Sequence, residues 1–379
     1  MRVLFSILFL LAGQVLPGQV RVRVFADRKP ESVIFSVSEG SFVLDTFTDS
    51  IVLEKGGMAV IAGYNGKLAV RTRNAPGFVI DSLVFRQSHG NSSFSLMVND
   101  NDPQRRKYSG DLFCKPDLET IVMINIPLAE DYVAGVVMAE GGSGKNIEYF
   151  KTQGVLARTY MYKYMNKHAN DGYNLCDNTH CQAFNGTCTD PEILTAAMQT
   201  TGLVIFAPDS ALIISAFHSN CGGETADAAD VWLTSVPYLK KVKDPYCSGT
   251  RNSTWQKSLS SDEWLGMIRK SNPGKEISIA EAGFIQPSRV SDYRIGTARI
   301  SMRDIRSSFN LRSAYFSVYP QNDSVLLKGR GYGHGVGLCQ EGAMSMASKG
   351  FSYDQIIKFY YSGILISDIG NAKPDKGIE

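Results

Sequence analysis

Period-two alternation governs the first third of the chain. In VRVRVF, SVIFSVSEG, SIVLEKGG, MAVIAGYNGKLAVRT and SFSLMVND, apolar residues recur at every second position between Gly and Asn turns. This pattern predicts half-buried strands from Val20 to about Ile126. The YNGKLAV stretch reads as a hairpin turning at Asn65-Gly66. After NIPLAEDYVAG the apolar spacing lengthens, and helices are predicted over 128–140, 146–168 and 191–201, followed by mixed strands and loops. A polar interval over about 247–290 holds WQKSLSSDEWLGMIRK, which reads as an amphipathic helix within an insertion. No internal repeat or low-complexity linker interrupts the pattern. The prediction is an α+β fold: a β-rich N-terminal region, 19–125, joined to a helical core with mixed strands, 126–370, in one compact body.

Composition narrows the class. The 379 residues are 44% hydrophobic and 20% charged, an ordinary globular balance. With 39 Lys and Arg against 37 Asp and Glu, the net charge of +2 gives no reason to expect a nucleic-acid partner. At the N-terminus, Arg2 precedes an apolar run from Val3 to Ala12 and then small and helix-breaking residues to Gly18. This is the shape of a secretory signal, 1–18. The run is about half the ~20 residues a membrane span needs. No span is expected after signal removal, and the mature chain is expected to be secreted or periplasmic.

An exported chain with seven cysteines leaves at least one unpaired or bound to something. Three of them crowd into CDNTHCQAFNGTC. One reading is a local disulfide in an oxidising compartment. Another is a structural zinc site using Cys176, Cys181 and a histidine, His180 or His168, and a third is free buried thiols.

The chemistry-bearing positions lie further in. Pro127 with Glu130 and Asp131 marks a helix start, and Gly141-Gly142 marks its stop. Val133, Val136, Val137 and Glu140 stand at i, i+3, i+4 and i+7, so the carboxyl lies on the stripe that otherwise faces the core. Burial and the negative end of the helix dipole both raise a carboxyl pKa, the condition for a general acid. On the next helix Lys151, Arg158 and Tyr162 share one face, a spacing that also fits a solvated charged surface. His218, Ser219 and Cys221 precede a glycine pair, and a glycine run surrounds His334 just before Gln340. That run is not a phosphate loop. It is expected to let backbone approach a ligand or a neighbouring strand.

IPLAEDYVAGVVMAE, FKTQGVLARTYMY, HCQAFNG, HSNCGGETADAADVW and GRGYGHGVGLCQEGA occur in one order. In these motifs the chain resembles the stage II sporulation protein D and LytB family. The resemblance implies a lytic transglycosylase acting on peptidoglycan glycan strands stripped of stem peptides. Glu140 matches the catalytic acid. Lys151, Arg158 and Tyr162 fall on a helix of the substrate cleft, and Gln182, His218, Ser219, His334 and Gln340 lie in further matching motifs as cleft residues. Gly141-Gly142 replaces the common Met-Pro, and Cys221 and Cys339 replace serines, which leaves the loop beside the acid in question. No cofactor is required by that chemistry. Glu140 would protonate the leaving oxygen and then accept a proton from the sugar's own 6-hydroxyl, closing a 1,6-anhydro ring without an activated water. The alternative is a non-catalytic glycan-binding module, or a stimulator of a cell-wall amidase. A hydrolase built on His218, Cys221 and His334 lacks a helix-borne H-E-x-x-H motif.

Overall fold

The computed structural model describes residues 18–45, 50–73, 75–98 and 102–371. Apart from Gly18, the expected signal peptide lies outside the described residues. Among the described residues no helix is long and apolar enough to cross a membrane. Contacts sort the chain into two units, Met1–Glu140 with Tyr164–Thr189, and Gly141–Lys163 with Asp190–Glu379. Pairing distant in sequence crosses these limits: Leu175 and Cys176 pair in parallel with Val22 and Arg23, which returns that stretch to the first unit.

The first unit carries two sheets. One runs in the order Leu175–Cys176, Val22–Val24, Thr120–Ile126, Asp111–Asp117, Leu83–Gln87, Ser41–Asp45, Ser50–Glu54. The other runs Gln104–Ser109, Ser93–Val98, Ser32–Glu39, Met58–Tyr64, Lys67–Thr72, Phe78–Ile80. Alternation in Ser32–Glu39 sends Val33, Phe35 and Val37 inward. Phe35 stacks on Phe85 of the other sheet at 3.9 Å and meets Phe42 edge-on at 5.4 Å. Fully burying each such ring stabilises the fold by about 1.5–3 kcal/mol. The expected hairpin is present, with Tyr64 opposite Lys67 and Asn65 and Gly66 at φ 50° and 70°, the left-handed pair that a two-residue turn requires.

Eight helices occur among the described residues: α1 (Ala129–Gly141), α2 (Ile147–Lys163), α3 (Pro191–Gln199), α4 (Ala228–Trp232), α5 (Ser261–Ser271), α6 (Met302–Ser308), α7 (Gln340–Ser348) and α8 (Tyr353–Tyr360). The long amphipathic helix expected over WQKSLSSDEWLGMIRK is only half present. Thr254–Ser260 is a strand paired with Ser324–Arg330, and α5 begins after it. Ser260 sets the break through a capping box: its hydroxyl accepts from Glu263 N at 3.2 Å, and the Glu263 carboxylate accepts from Ser260 N at 2.9 Å. The core beneath this region runs from Trp255 through Trp264 and Tyr293 to Leu327.

Candidate active site

Helix α1 delivers Glu140. Its first turn holds Glu130 and Asp131, with the Ser109 hydroxyl donating to Asp131 at 2.9 Å. Tyr132, Val133, Val136 and Val137 are buried, which fixes the roll of the helix. Gly135 permits a close approach: a Cβ there would lie 2.5 Å from both the Phe184 ring and the Gly186 carbonyl. The loop carrying Phe184 is thereby seated on α1, and its Ala183 N–H donates to Glu140 Oε1 at 2.9 Å. Burial raises the Glu140 carboxyl above its ordinary value, and the Ala183 bond opposes part of that rise.

The loop is held from beneath. Asp177, 5% exposed, accepts from Phe25 N at 2.6 Å, Ala26 N at 3.0 Å and the Arg106 guanidinium at 2.8 Å. Phe184 N donates to the Asp177 carbonyl at 3.1 Å, and Tyr132 donates to Gln182 Oε1 at 3.3 Å. Gln182 is therefore a buried brace for α1.

Donor atoms of His168, Cys176, His180 and Cys181 all lie within 4.8 Å of one another. Cys181 Sγ is 3.5 Å from His168 Nε2, and Cys176 Sγ is 3.6 Å from His180 Nδ1. The hydrogen bond between the two thiols lowers Cys181 to about 4 and raises Cys176. His168 Nδ1 is 3.4 Å from Asp171 Oδ2, the outer carboxylate that ligating histidines commonly use. Cys176 and Cys181 are thiols in the structure, and Cys188 stands outside the group. Two soft sulfurs and two imidazoles at this spacing suit zinc.

The remaining expected residues belong to the second unit, where they separate. Arg158 is 0% exposed, and its guanidinium donates to the carbonyls of Leu203 at 3.1 Å and Ala197 at 3.2 Å. It joins α2 to α3 and to the strand Leu203–Phe206, a structural clamp in place of the expected cleft cation. Lys151 pairs with Glu148 at 2.7 Å, and the other Glu148 oxygen accepts from Tyr353 N at 2.8 Å. Tyr162 is half-buried on the same helix, and buried Gln340 approaches Gln153 at 3.5 Å.

His218 and His334 do come together, with ring centroids 5.5 Å apart, and Trp232 lies 5.8 Å beyond His334. Burial holds both imidazoles neutral, His334 down to about 4 and His218 well below its ordinary value. His218 Nδ1 donates to the Val336 carbonyl at 3.2 Å, leaving Nε2 a buried acceptor without a partner. Val336 N donates to His334 Nδ1 at 3.0 Å. The glycine run serves the neighbouring strand: a Cβ at Gly333 would fall 2.8 Å from His218 Cβ. Ser219 is half-buried, and its carbonyl accepts from Glu341 N at 3.0 Å. Sequence reasoning missed the Ala183 amide, which carries no side-chain signal, and Trp232, one of many exposed-face aromatics until the fold places it.

A family model described as stage II sporulation protein matches residues 118–206, the stretch that contains Glu140 and the Cys/His group. An uncharacterized protein of Brachyspira hyodysenteriae is 31% identical over 268 residues, 69% of this chain and 73% of that one. Stage II sporulation protein D of Bacillus subtilis is 30% identical over 259 residues, 64% of this chain and 75% of that one. The amidase enhancer of Bacillus subtilis is 27% identical over 288 residues, 62% of this chain but 40% of that protein. Coverage of three quarters of a sporulation protein D at this identity, on the segment that builds the acid and its loop, makes this chain a member of the stage II sporulation protein D family.

Proposed function

We propose that the chain is an exported lytic transglycosylase that cleaves the bond between N-acetylmuramic acid and N-acetylglucosamine in peptide-stripped peptidoglycan. The observation that carries this reading is Glu140, half-buried at the end of α1 with its Oε1 fixed by the Ala183 N–H. A carboxyl whose pKa is raised by burial keeps its proton closer to neutral pH and can deliver it to the leaving O4. The C1–O4 bond breaks as that proton arrives. The 6-hydroxyl oxygen then bonds to C1, its proton passes to Glu140, and the acid is regenerated with no water consumed. The Ala183 amide stabilises the carboxylate between the two transfers.

Zinc on His168, Cys176, His180 and Cys181 would be a structural ion in this scheme. It would stiffen the loop whose residue 183 orients Glu140 and would take no part in the chemistry.

The test is digestion of purified peptide-free glycan strands by wild type and by Glu140→Gln, which keeps the size of the side chain and removes the acid. Strand shortening by wild type alone supports the reading, with the variant slower by about 10²–10⁴-fold. Intact strands with both proteins would leave the second reading, suggested by the amidase enhancer among the relatives, in which the chain holds glycan and stimulates a cell-wall amidase.

A further inference from the structure

A second group of soft donors lies apart from the Cys176 group, deep in the second unit. Cys221, Asp244, Cys247 and Cys339 are each 0% exposed, and their donor atoms lie within 4.8 Å of one another. Three separate segments meet here: the turn after the strand Phe217–His218, the D-P-Y-C stretch at 244–247, and the N-cap of α7. We propose that Cys221, Cys247, Cys339 and Asp244 form a tetrahedral structural site for zinc that staples these three segments together.

The geometry favours a metal over a disulfide. Cys221 Sγ and Cys247 Sγ are 3.3 Å apart, and Cys221 Sγ is 3.2 Å from Asp244 Oδ2. A disulfide needs about 2.05 Å and would leave the third sulfur and the carboxylate facing it without a role. Ligands on a tetrahedral zinc, with bonds of about 2.3 Å, stand roughly 3.8 Å apart, so a small outward relaxation of the group admits the ion.

Backbone N–H groups point at two of the three sulfurs. Cys221 N donates to Cys339 Sγ at 3.2 Å, Gly342 N to the same sulfur at 3.4 Å, and Gly223 N to Cys247 Sγ at 3.3 Å. The carboxylate is oriented by Tyr360, which donates to Oδ2 at 2.9 Å, and by Tyr246 N, which donates to Oδ1 at 2.8 Å. Such outer-shell bonds fix ligands in place. The buried Arg289 guanidinium donates to the Cys221 carbonyl at 2.7 Å, bringing positive charge to a site that carries about −2 once three thiolates, a carboxylate and a dication are assembled. Glycine is required at 342, where a Cβ would fall on Tyr360 and Asp244. Binding displaces three thiol protons to solvent, with no change of oxidation state.

The test uses the full chain purified under reducing conditions without chelator. In a Cys176→Ala/Cys181→Ala background, which removes the first group, one zinc per chain should remain. Cobalt exchanged into that background should give the intense visible bands and near-ultraviolet sulfur charge-transfer absorption of a tetrahedral thiolate site, and both should vanish on adding Cys247→Ala. For wild type, which needs no substitution, an anomalous peak at the zinc edge among the four side chains is expected in a crystal. No peak there, zinc content indifferent to Cys247, or a Cys221–Cys247 disulfide in a peptide map would each overturn the proposal.

Discussion

At the scale of single residues, Glu140 is set by two opposed effects. Withdrawal from water favours the neutral acid, and the Ala183 N–H favours the carboxylate; burial is the larger. Because the folded chain holds this proton more tightly than the unfolded chain, the stabilisation it contributes is complete below the ordinary glutamate range. It is lost as pH rises through the folded value. Melting temperatures of wild type and Glu140→Gln should therefore diverge as pH rises above the ordinary glutamate range, the variant gaining on wild type. A gap that stays constant, or moves the other way, contradicts a raised value. Arg158 calls for a different outcome. With its donors on buried main-chain carbonyls, Arg158→Met should cost about 2–4 kcal/mol in denaturant unfolding. Folded Arg158→Met should bind glycan as wild type does, where a cleft cation would show the reverse pattern.

Among elements, the seating of the 176–188 loop on α1 matters most. Gly135→Ala would press a methyl group into the Phe184 ring and the Gly186 carbonyl, and overpacking of this kind costs typically 1–3 kcal/mol. The expected result is a lower melting temperature together with slower strand cleavage, since the Ala183 amide would shift from Glu140. Replacing His168 by Ala should slow cleavage through the same loop while leaving far-ultraviolet circular dichroism nearly unchanged. Unaltered cleavage by His168→Ala would sever the loop from the acid. Much at this scale was legible beforehand. Alternation marked the strands, Asn65-Gly66 the hairpin, and Pro127 with Gly141-Gly142 the limits of α1, because each signal is local. The strand within WQKSLSSDEWLGMIRK was not, since its backbone partner, Ser324–Arg330, lies about seventy residues downstream and only a capping box at Ser260 marks the break.

At the scale of the whole molecule, what sequence could not supply is convergence. Helical spacing puts Lys151, Arg158 and Tyr162 on one face, yet Arg158 is consumed by carbonyls of α3 and a strand that no periodicity couples to it. Cys221, Cys247 and Cys339 look unrelated along the chain, separated as they are by well over a hundred positions in all, and only the fold assembles them with Asp244. The position of Glu140 was legible because it lies on a single helix between clear boundaries. The claim on which the functional account turns is that Glu140 acts alone on both protons while the sugar supplies its own acceptor. Mass spectrometry of the ends released from peptide-free glycan strands tests this most directly. The account predicts 1,6-anhydro ends, lighter by one water than reducing ends and absent with Glu140→Gln; reducing ends from wild type would contradict it.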